Sequence, residues 1–512
     1  MHVVEYVILG SYLLGLFGLG LYFSRGHQTT KDFFLAGRKM GWIILGMSMW
    51  ASLTSANSMI AAPGYSYGND LQFLPSSLVA LVSAVVIMRL VIPIFQRLDL
   101  TTSYEYLERR FGLGVRCFAS TLFLLLRGAW LAGVIYAPAL AVSQAIDLDW
   151  MQKWQLFGVN GELAACILAV GLLATAYATA GGMKAVIYTD VVQFIVIVVG
   201  VGVICWTIVS GFPGGVQEIW EIGQTHGRTK MFNFDFSPFA EVTFWWILAN
   251  TFTTRLNSEG IDQVSVQRYL SARSLTDSVR TILLNVLFDL PLMSAFYLIG
   301  LGLFAFYHVH PDTSLPTNGD RVFPFFVATQ LPLGMAGLFL AALLAATRSS
   351  VDSGINSMAA TVVTDWYQRL IRPSATEDQR VRVARTSTVL FGGLTTLAAL
   401  LYIHLGQIYQ AVGTAMGLFM GPLVGIFFLG LLTTRARTGG VLAGAVIGLA
   451  GCALWQYIVQ GTWMLLPVVG LIITWSVGYA LSWVPAPLPV ETLRGLTCWT
   501  PASPGPEPER GD

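Results

Sequence analysis

Long apolar runs follow one another along the chain, separated by short polar segments. We count thirteen such runs, each near the length of about 20 residues that a helix needs to cross a bilayer. A membrane β-barrel would instead alternate apolar and polar positions in segments of about ten residues. The pattern therefore predicts an all-α integral membrane protein with about thirteen transmembrane helices. The predicted spans are residues 5–24, 41–66, 72–96, 117–146, 160–181, 185–210, 239–262, 276–307, 332–361, 381–404, 408–432, 439–460 and 463–484.

Two of these runs contain helix breakers near their middles. The second run holds SLTSANSMIAAPG, residues 52–64, and the seventh holds TTRLNSEGID, residues 253–262. Backbone unwinds at membrane depth only where it is buried in protein or lines a cavity. A packing kink would explain either break alone. Two breaks that lie five spans apart predict two inverted repeats of five helices, with solute and ion bound between the breaks.

The inverted repeats divide the chain into five predicted parts. These are an extra N-terminal transmembrane helix at 1–30, the first repeat at 31–210, the second repeat at 211–435, two C-terminal transmembrane helices at 436–484 and a cytoplasmic tail at 485–512. The tail is rich in proline and charge, so we predict that it is disordered.

Composition and charge agree with a membrane protein and orient it. Hydrophobic residues make up 55% of the chain and charged residues 11%, against about 25% charged residues in soluble proteins. If the N-terminus lies outside, the inward loops hold 21 Lys and Arg, three of them in the loop 268–280, and the outward loops hold four. The positive-inside rule then predicts a plasma (inner) membrane protein with its N-terminus outside and its C-terminus in the cytoplasm.

The ninth run carries a polar stripe within LLAATRSSVDS, residues 343–353. Four polar residues fall at helical positions i, i+3, i+4 and i+7 and so share one face: Ser349, Asp352, Ser353 and Asn356. Alanines precede them, so a neighbouring helix can approach closely. Serine hydroxyls and the carbonyls freed by the first break would together supply the oxygens that sodium needs. The stripe therefore predicts a sodium site, although serines that bond to their own helix would give the same pattern.

An aspartate also lies inside the sixth run. Asp190 stands six positions after Lys184, in AVIYTDVVQF. An intramembrane carboxylate is costly and is by default a candidate functional residue. Asp190 and the serine stripe both approach the cytoplasmic ends of their spans, so we expect them at the same depth. The alternative is an interfacial aspartate that pairs with Lys184 or Arg348.

Three segments, in chain order, resemble motifs of the sodium:solute symporter family: YATAGGMKAVIYTDVVQF, DQVSVQRYLSARS and AALLAATRSSVDSGINS. The resemblance extends over residues 30–460. Within the family, GVIYAPALAVSQ and MGPLVGIFFLGLLTTRARTGGVLAGAVIG look most like the iodide, monocarboxylate and multivitamin carriers, and TSANSMIAAPG is similar to pantothenate carriers. The resemblance implies a LeuT-type core, sodium as the coupling ion and no organic cofactor.

The resemblance also implies two ion regions. The main sodium site would use the carbonyls of Ala51, Thr54 and Ala346 and the hydroxyls of Ser349 and Ser350. The second ion region would use Asp190, Asp352 and Ser353. The family usually has an apolar residue where this chain has Arg348, which could pair with Asp352 or with Asp190. A fixed cation there would exclude a second sodium, so we expect one coupling ion rather than two.

The seventh and eighth runs supply candidate solute-binding residues. Arg255 and Glu259 lie in the second break, and Asp289 lies in the eighth run. Because a guanidinium fork suits a carboxylate, we predict a small organic anion, such as a monocarboxylate, anchored by Arg255 or Arg127. The alternative is that Arg255 pairs with Glu259 or Asp289 and only shapes the cavity. Weaker candidates are Asn57, Ser58 and Gln410.

These observations predict a sodium-coupled secondary active symporter, not an enzyme, that imports its solute by alternating access. Its partners would be the solute, sodium and the lipid bilayer, without nucleic acid, and its oligomeric state stays open. The alternatives are a symporter of a sugar or another neutral solute, proton coupling through Asp190 and Asp352, and a transporter-like membrane sensor. A channel or an enzyme is disfavoured because the sequence shows no repeated filter motif and no HExxH.

Overall fold

The computed structural model describes residues 3–23, 35–145, 151, 153–180, 183–240, 242–405, 408–484 and 489–500. This part of the chain is mostly helical, with one small hairpin in which Gln155–Leu156 pairs with Val159–Asn160. Each of the thirteen predicted runs coincides with at least one helix. The pattern of apolar runs therefore located the helices correctly.

The first half of the described chain starts with a single helix and then the broken second run. Its helices are α1 Val3–Phe23, α2 Trp42–Leu53, α3 Ala56–Gly68, α4 Ser76–Arg97, α5 Ser103–Phe111, α6 Leu113–Ala145, α7 Gly161–Ala180, α8 Met183–Ser210 and α9 Gly215–Thr225. Helices α2 and α3 meet at a bend of 60°.

The second half starts with the broken seventh run. Its helices are α10 Phe244–Arg255, α11 Gln263–Leu270, α12 Leu275–Val309, α13 Gly319–Gln330, α14 Met335–Thr361, α15 Glu377–Ala399, α16 Ile408–Leu432, α17 Thr438–Leu454 and α18 Leu466–Leu481. Segments of π-helix follow α10, at Leu256–Ile261, and α14, at Val362–Ile371.

Length and apolar composition limit the number of helices that qualify as membrane spans. Within the described residues, eight helices qualify, or nine if the bent pair α2 and α3 counts as one span. In α1 and α7, the apolar stretches that were found, Val3–Leu16 and Gly161–Ala176, are shorter than a full span. The all-α membrane architecture is thus present, whereas the count of thirteen crossings and the boundaries of the repeats stay predictions.

Helix α14 lies at the centre of the molecule, and nearly all of its residues are buried. It packs against α1, α6, α7, α8 and α15. Glu5 on α1 accepts a hydrogen bond from the backbone amide of Gly334, at 2.6 Å, and another from that of Gly337. The first amides of a helix have no hydrogen-bond partners within the helix, and the Glu5 carboxylate satisfies two amides here. Its negative charge also complements the helix dipole.

Both predicted breaks are present. At the first, α2 ends at Leu53, Thr54 adopts an extended conformation, and α3 begins at Ala56. Pro63 lies inside α3, so the proline does not cause this break. Small hydroxyl residues compete with the helix for backbone hydrogen bonds, and the polar sequence Ser52 to Ser55 is where the helix stops.

The second break has a different form. Helix α10 continues into the π-helical segment, and Asp262 is extended before α11 starts. Side chains of α11 satisfy carbonyls of this segment: the Ser265 hydroxyl donates to the Ser258 carbonyl at 2.5 Å, and the Tyr269 hydroxyl donates to that of Gly260 at 2.8 Å. Buried backbone without such partners would be unstable in a bilayer.

Candidate functional site

The first break lies against the serine stripe of α14. The Ser350 hydroxyl donates to the backbone carbonyl of Ser52 at 3.3 Å, and the Ser349 and Ser52 hydroxyl oxygens are 3.3 Å apart. Ala51 and Ala346, whose carbonyls are predicted ligands, are fully buried. The unwound backbone of α2 and the hydroxyls of α14 therefore meet inside the protein, as the sodium prediction requires.

Ser349 is oriented by the aspartate of α8. Its hydroxyl donates to Asp190 Oδ1 at 2.5 Å. A hydroxyl that gives its proton to a carboxylate keeps its oxygen lone pairs for a cation. The structure thus brings Ser349, Ser350, Ala51, Thr54 and Ala346 to one region of α2 and α14. Their assignment as sodium ligands stays a prediction.

The second ion region contains a residue that the sequence analysis misplaced. Arg268, counted there among the inward loops, is fully buried on α11, and its Nη2 lies 3.0 Å from Asp190 Oδ2. The same guanidinium donates to the hydroxyls of Ser353, at 2.7 Å, and Ser48, at 3.0 Å. The partner of Asp190 is thus Arg268, not Lys184 or Arg348. All eight residues of α11 are buried, which a charge count over loops cannot reveal.

Arg348 forms the other ion pair of this region. Its Nε lies 3.0 Å from Asp352 Oδ2, one helical turn further along α14, and its Nη2 donates to the Thr189 hydroxyl at 2.8 Å. Of the two pairings that the sequence left open, the structure has the one with Asp352. Because Thr189 precedes Asp190 in α8, Arg348 also links α14 to α8.

The second break places Arg255 between two carboxylates. Its Nη1 lies 2.5 Å from Glu259 Oε1, and its Nη2 forms an ion pair with Asp289. Glu259 is fully buried and Asp289 is 5% exposed. The arrangement matches the alternative in which Arg255 pairs with these residues, and it leaves one negative charge in excess when all three are ionised.

Arg127 on α6 forms an ion pair with Asp262 in the extended turn before α11. Its guanidinium carbon also lies 4.6 Å from the centre of the Trp130 ring. Both residues of the ion pair are buried, Arg127 at 3% and Asp262 at 1% exposure. The charged pair therefore connects α6 to the second break.

A cavity of about 280 Å³ lies between the two breaks. Five of the predicted solute-binding residues line it: Asn57, Ser58, Arg127, Arg255 and Asp289. Glu259 pairs with Arg255 but does not itself line the cavity. Gln410 is exposed near the start of α16 and is absent from the lining, so the prediction that it faces the solute is not supported.

Several lining residues escaped the sequence analysis. Four of them are uncharged polar residues of α10 and the π-helical segment: Asn250, Thr251, Thr254 and Asn257. Asn250, Thr254 and Ser258 recur every four positions, which places them on one helix face. This spacing was a usable signal within an otherwise apolar run.

Two unwound helices that enclose a cavity with polar side chains in its lining, with ionic groups buried beside them, define a secondary active transporter of the membrane. The model of the sodium:solute symporter family matches residues 33–448. The chain belongs to the sodium:solute symporter family. The predictions of a transporter, not an enzyme, and of this family are thus confirmed.

Curated relatives agree with this assignment. A sodium/sialic acid symporter of Aliivibrio fischeri is 30% identical over 93% of this chain and 92% of its own length. The human sodium/iodide cotransporter is 33% identical over 88% of this chain and 69% of its own. The human sodium-coupled monocarboxylate transporter 1 is 32% identical over 88% and 73%.

Solved structures extend the likeness to the fold. A Na⁺-coupled sialic acid symporter in a substrate-bound outward-open state superposes with a TM-score of 0.85 at 27% identity, over 95% of this chain and 99% of that one. A nucleobase-cation-symport transporter reaches a TM-score of 0.55 at 15% identity, over 88% and 94%, which shows the fold alone. The predicted LeuT-type fold class is confirmed by these likenesses.

Proposed function

We propose that the protein imports a small organic anion together with sodium across the plasma (inner) membrane, by alternating access. The observation that carries this proposal is the contact of the Ser349 and Ser350 hydroxyls with the unwound end of α2, beside a cavity that polar side chains help to line. The orientation, with the N-terminus outside and the C-terminus in the cytoplasm, belongs to the same proposal and rests on the distribution of basic residues.

Ion and solute are coupled because they share one element. Thr54 belongs to the proposed sodium site and also lines the cavity, followed by Ser55, Asn57 and Ser58. Sodium that orders this break therefore orders one wall of the solute site, and the solute in turn favours the sodium-bound form. One sodium moving inward across 100 mV contributes about 2.3 kcal/mol, before its concentration gradient is added.

Arg127 is the better anchor for an anionic solute. Both terminal nitrogens of Arg255 are engaged by carboxylates, whereas the Nε of Arg127 is buried and has no hydrogen-bond partner among the described residues. Arg127 also lines the cavity. A solute carboxylate at Arg127 would lie away from the excess negative charge around Arg255.

A neutral, hydroxyl-rich solute is the second candidate. Uncharged hydroxyl and amide side chains outnumber the charged ones in the cavity lining. Such groups exchange hydrogen bonds with a sugar or polyol without requiring a net charge. This candidate differs from the first in its expected response to changes at Arg127.

The test is uptake into proteoliposomes that contain the purified full-length protein. Labelled organic acids, acidic sugars, neutral sugars and vitamins are offered with an inward sodium gradient, with a proton gradient, and with neither. We expect sodium-stimulated uptake of at least one acid, and a loss of that stimulation in the double variant Ser349→Ala/Ser350→Ala. Unchanged sodium dependence in that variant would refute the site, and solute binding without uptake would favour the sensor.

A further inference from the structure

The second ion region contains four buried charges in two pairs. Asp190 pairs with Arg268, and Asp352 pairs with Arg348, each at 3.0 Å. The four residues are between 0% and 8% exposed. When all four are ionised, their charges sum to zero, so the region is electrically complete without a bound ion.

Oxygens that a second sodium would need are also engaged. Ser48, Ser52 and Ser353 each accept a hydrogen bond from the Arg268 guanidinium. Arg268 further approaches Asp190 Oδ2, while Asp190 Oδ1 accepts from Ser349. The guanidinium of Arg268 thus lies between Asp190 and Ser353, and Asp352 is the carboxylate of this region that Arg268 does not neutralise.

Arg348 neutralises the remaining carboxylate. Only one oxygen of Asp352 meets Arg348, and the other, Oδ1, has no hydrogen-bond partner among the described residues. The contact of Arg348 with Thr189 holds the guanidinium between α14 and α8. A sodium ion added here would leave a net positive charge in a buried site, which is strongly unfavourable in a low-dielectric environment.

We infer that Arg348 is a tethered counter-ion for Asp352, and that the protein consequently binds a single sodium ion, at the Ser349–Ser350 site. The inference rests on the proposed sodium symport and specifies its stoichiometry. Arg348 then determines how many sodium ions bind. Because its positive charge is covalently attached, it stays in the protein during the transport cycle and does not cross the membrane with the solute.

The experiment counts bound ions directly, so it needs no knowledge of the solute. Saturable binding of ²²Na⁺ to the purified full-length protein is measured, with choline in place of sodium as the background. We expect one ion per wild-type molecule. In Arg348→Ala the freed carboxylate of Asp352 should accept a second ion, which doubles the count to two.

Two matched variants separate charge from side-chain volume. Arg348→Lys retains a tethered cation, and Arg348→Ala/Asp352→Ser removes both charges, so each should bind one ion. Should Arg348→Ala fail to fold, Arg348→Gln replaces it with the same expected count of two. Two ions in the wild-type protein, or one in every variant, would overturn the inference while leaving sodium symport intact. No saturable binding in the wild type would overturn the proposed symport itself.

Discussion

The protein contains two clusters of buried charge, which differ in net charge and in access to the cavity. The cluster at α8, α11 and α14 pairs Asp190 and Asp352 with one arginine each. The cluster at the second break has three carboxylates for two arginines, and it borders the cavity. A closed, neutral cluster fixes structure and ion number, whereas an open cluster with excess charge can respond to a ligand.

The difference in net charge between the two clusters also affects where a charged solute can bind. Arg255 is shared by two carboxylates, so an incoming carboxylate near it would meet net negative charge. Arg127 has one partner, Asp262. For the proposed anionic solute, the α6 side of the cavity is therefore the more favourable position. Changes in these clusters, at the proposed sodium site and at an ion pair outside the spans are expected to have effects of decreasing size.

The largest effect is expected when the closed cluster loses an aspartate. Asp190→Asn leaves the guanidinium of Arg268 buried and without its counter-charge. Breaking a buried ion pair in this way costs about 3–5 kcal/mol. We expect a strong loss of folded protein, measured by size-exclusion chromatography after heating. Asp99→Asn, which alters a pair whose carboxylate is 65% exposed, is the control and should have little effect.

In the open cluster, a change at Arg127 should alter solute affinity, and a change at Arg255 should alter folding. Arg127→Lys keeps the charge but loses the planar fork, so we expect the half-saturating solute concentration to rise about tenfold, equivalent to about 1.4 kcal/mol. Arg255→Lys should mainly lower the amount of folded protein, because Glu259 and Asp289 both depend on that fork. Uptake and chromatography of both variants provide the test. The reverse pattern would identify Arg255 as the anchor.

Single serine changes at the proposed sodium site should act mainly on the affinity for sodium. Ser349→Ala or Ser350→Ala removes one hydroxyl, and a contribution of about 1 kcal/mol per lost bond raises the half-saturating sodium concentration roughly fivefold. Ser357→Ala, further along α14, is the control because its hydroxyl bonds to Gln267 and to its own helix. A shift in the control equal to that at Ser349 would contradict the assignment.

The smallest effect is expected at an ion pair outside the spans. Burial alone would raise the pKa of Glu108, but hydrogen bonds from Arg369 and Arg116 outweigh it and lower the pKa below its ordinary value. Glu108 therefore stabilises the fold above its ordinary pKa, and this contribution disappears as the pH falls through the lowered value.

Glu108→Gln tests this pH dependence. We expect it to lower the free energy of unfolding at pH 7 by about 1 kcal/mol or less, since Arg369 is largely exposed. The difference from wild type should shrink on acidification below the lowered pKa. Thermal unfolding at several pH values checks this, and a difference that grows on acidification would contradict it.

Much of the fold was readable from the sequence. The thirteen apolar runs coincide with helices, and both breaks fall within the polar segments 52–64 and 253–262. These features are local, because hydropathy and helix propensity act over a few neighbouring residues. The predicted contact between the serine stripe, Asp190 and the first break was also found, since the motifs of the family fix which helices meet.

The pairing of charges was not readable in this way. Arg268 lies in the short helix α11, whose sequence looked like the start of a loop. Only the packing of this helix shows that Arg268 reaches Asp190. Gln410 was predicted as a weaker candidate for solute binding, yet it is exposed. Which face of a helix meets a cavity depends on the rotation of that helix against its neighbours, which a few residues of sequence do not specify.

The sequence by itself determined that this chain is a helical membrane protein, where its helices run and break, and which polar residues belong to the symporter motifs. Tertiary structure alone decided which arginine neutralises which carboxylate, and therefore which cluster is closed and which is open to a solute. The physical reason is the separation along the chain of the residues that interact. Apolar periodicity is set by neighbours along the chain, whereas an ion pair such as Asp190 with Arg268 joins residues 78 positions apart that only helix packing brings together.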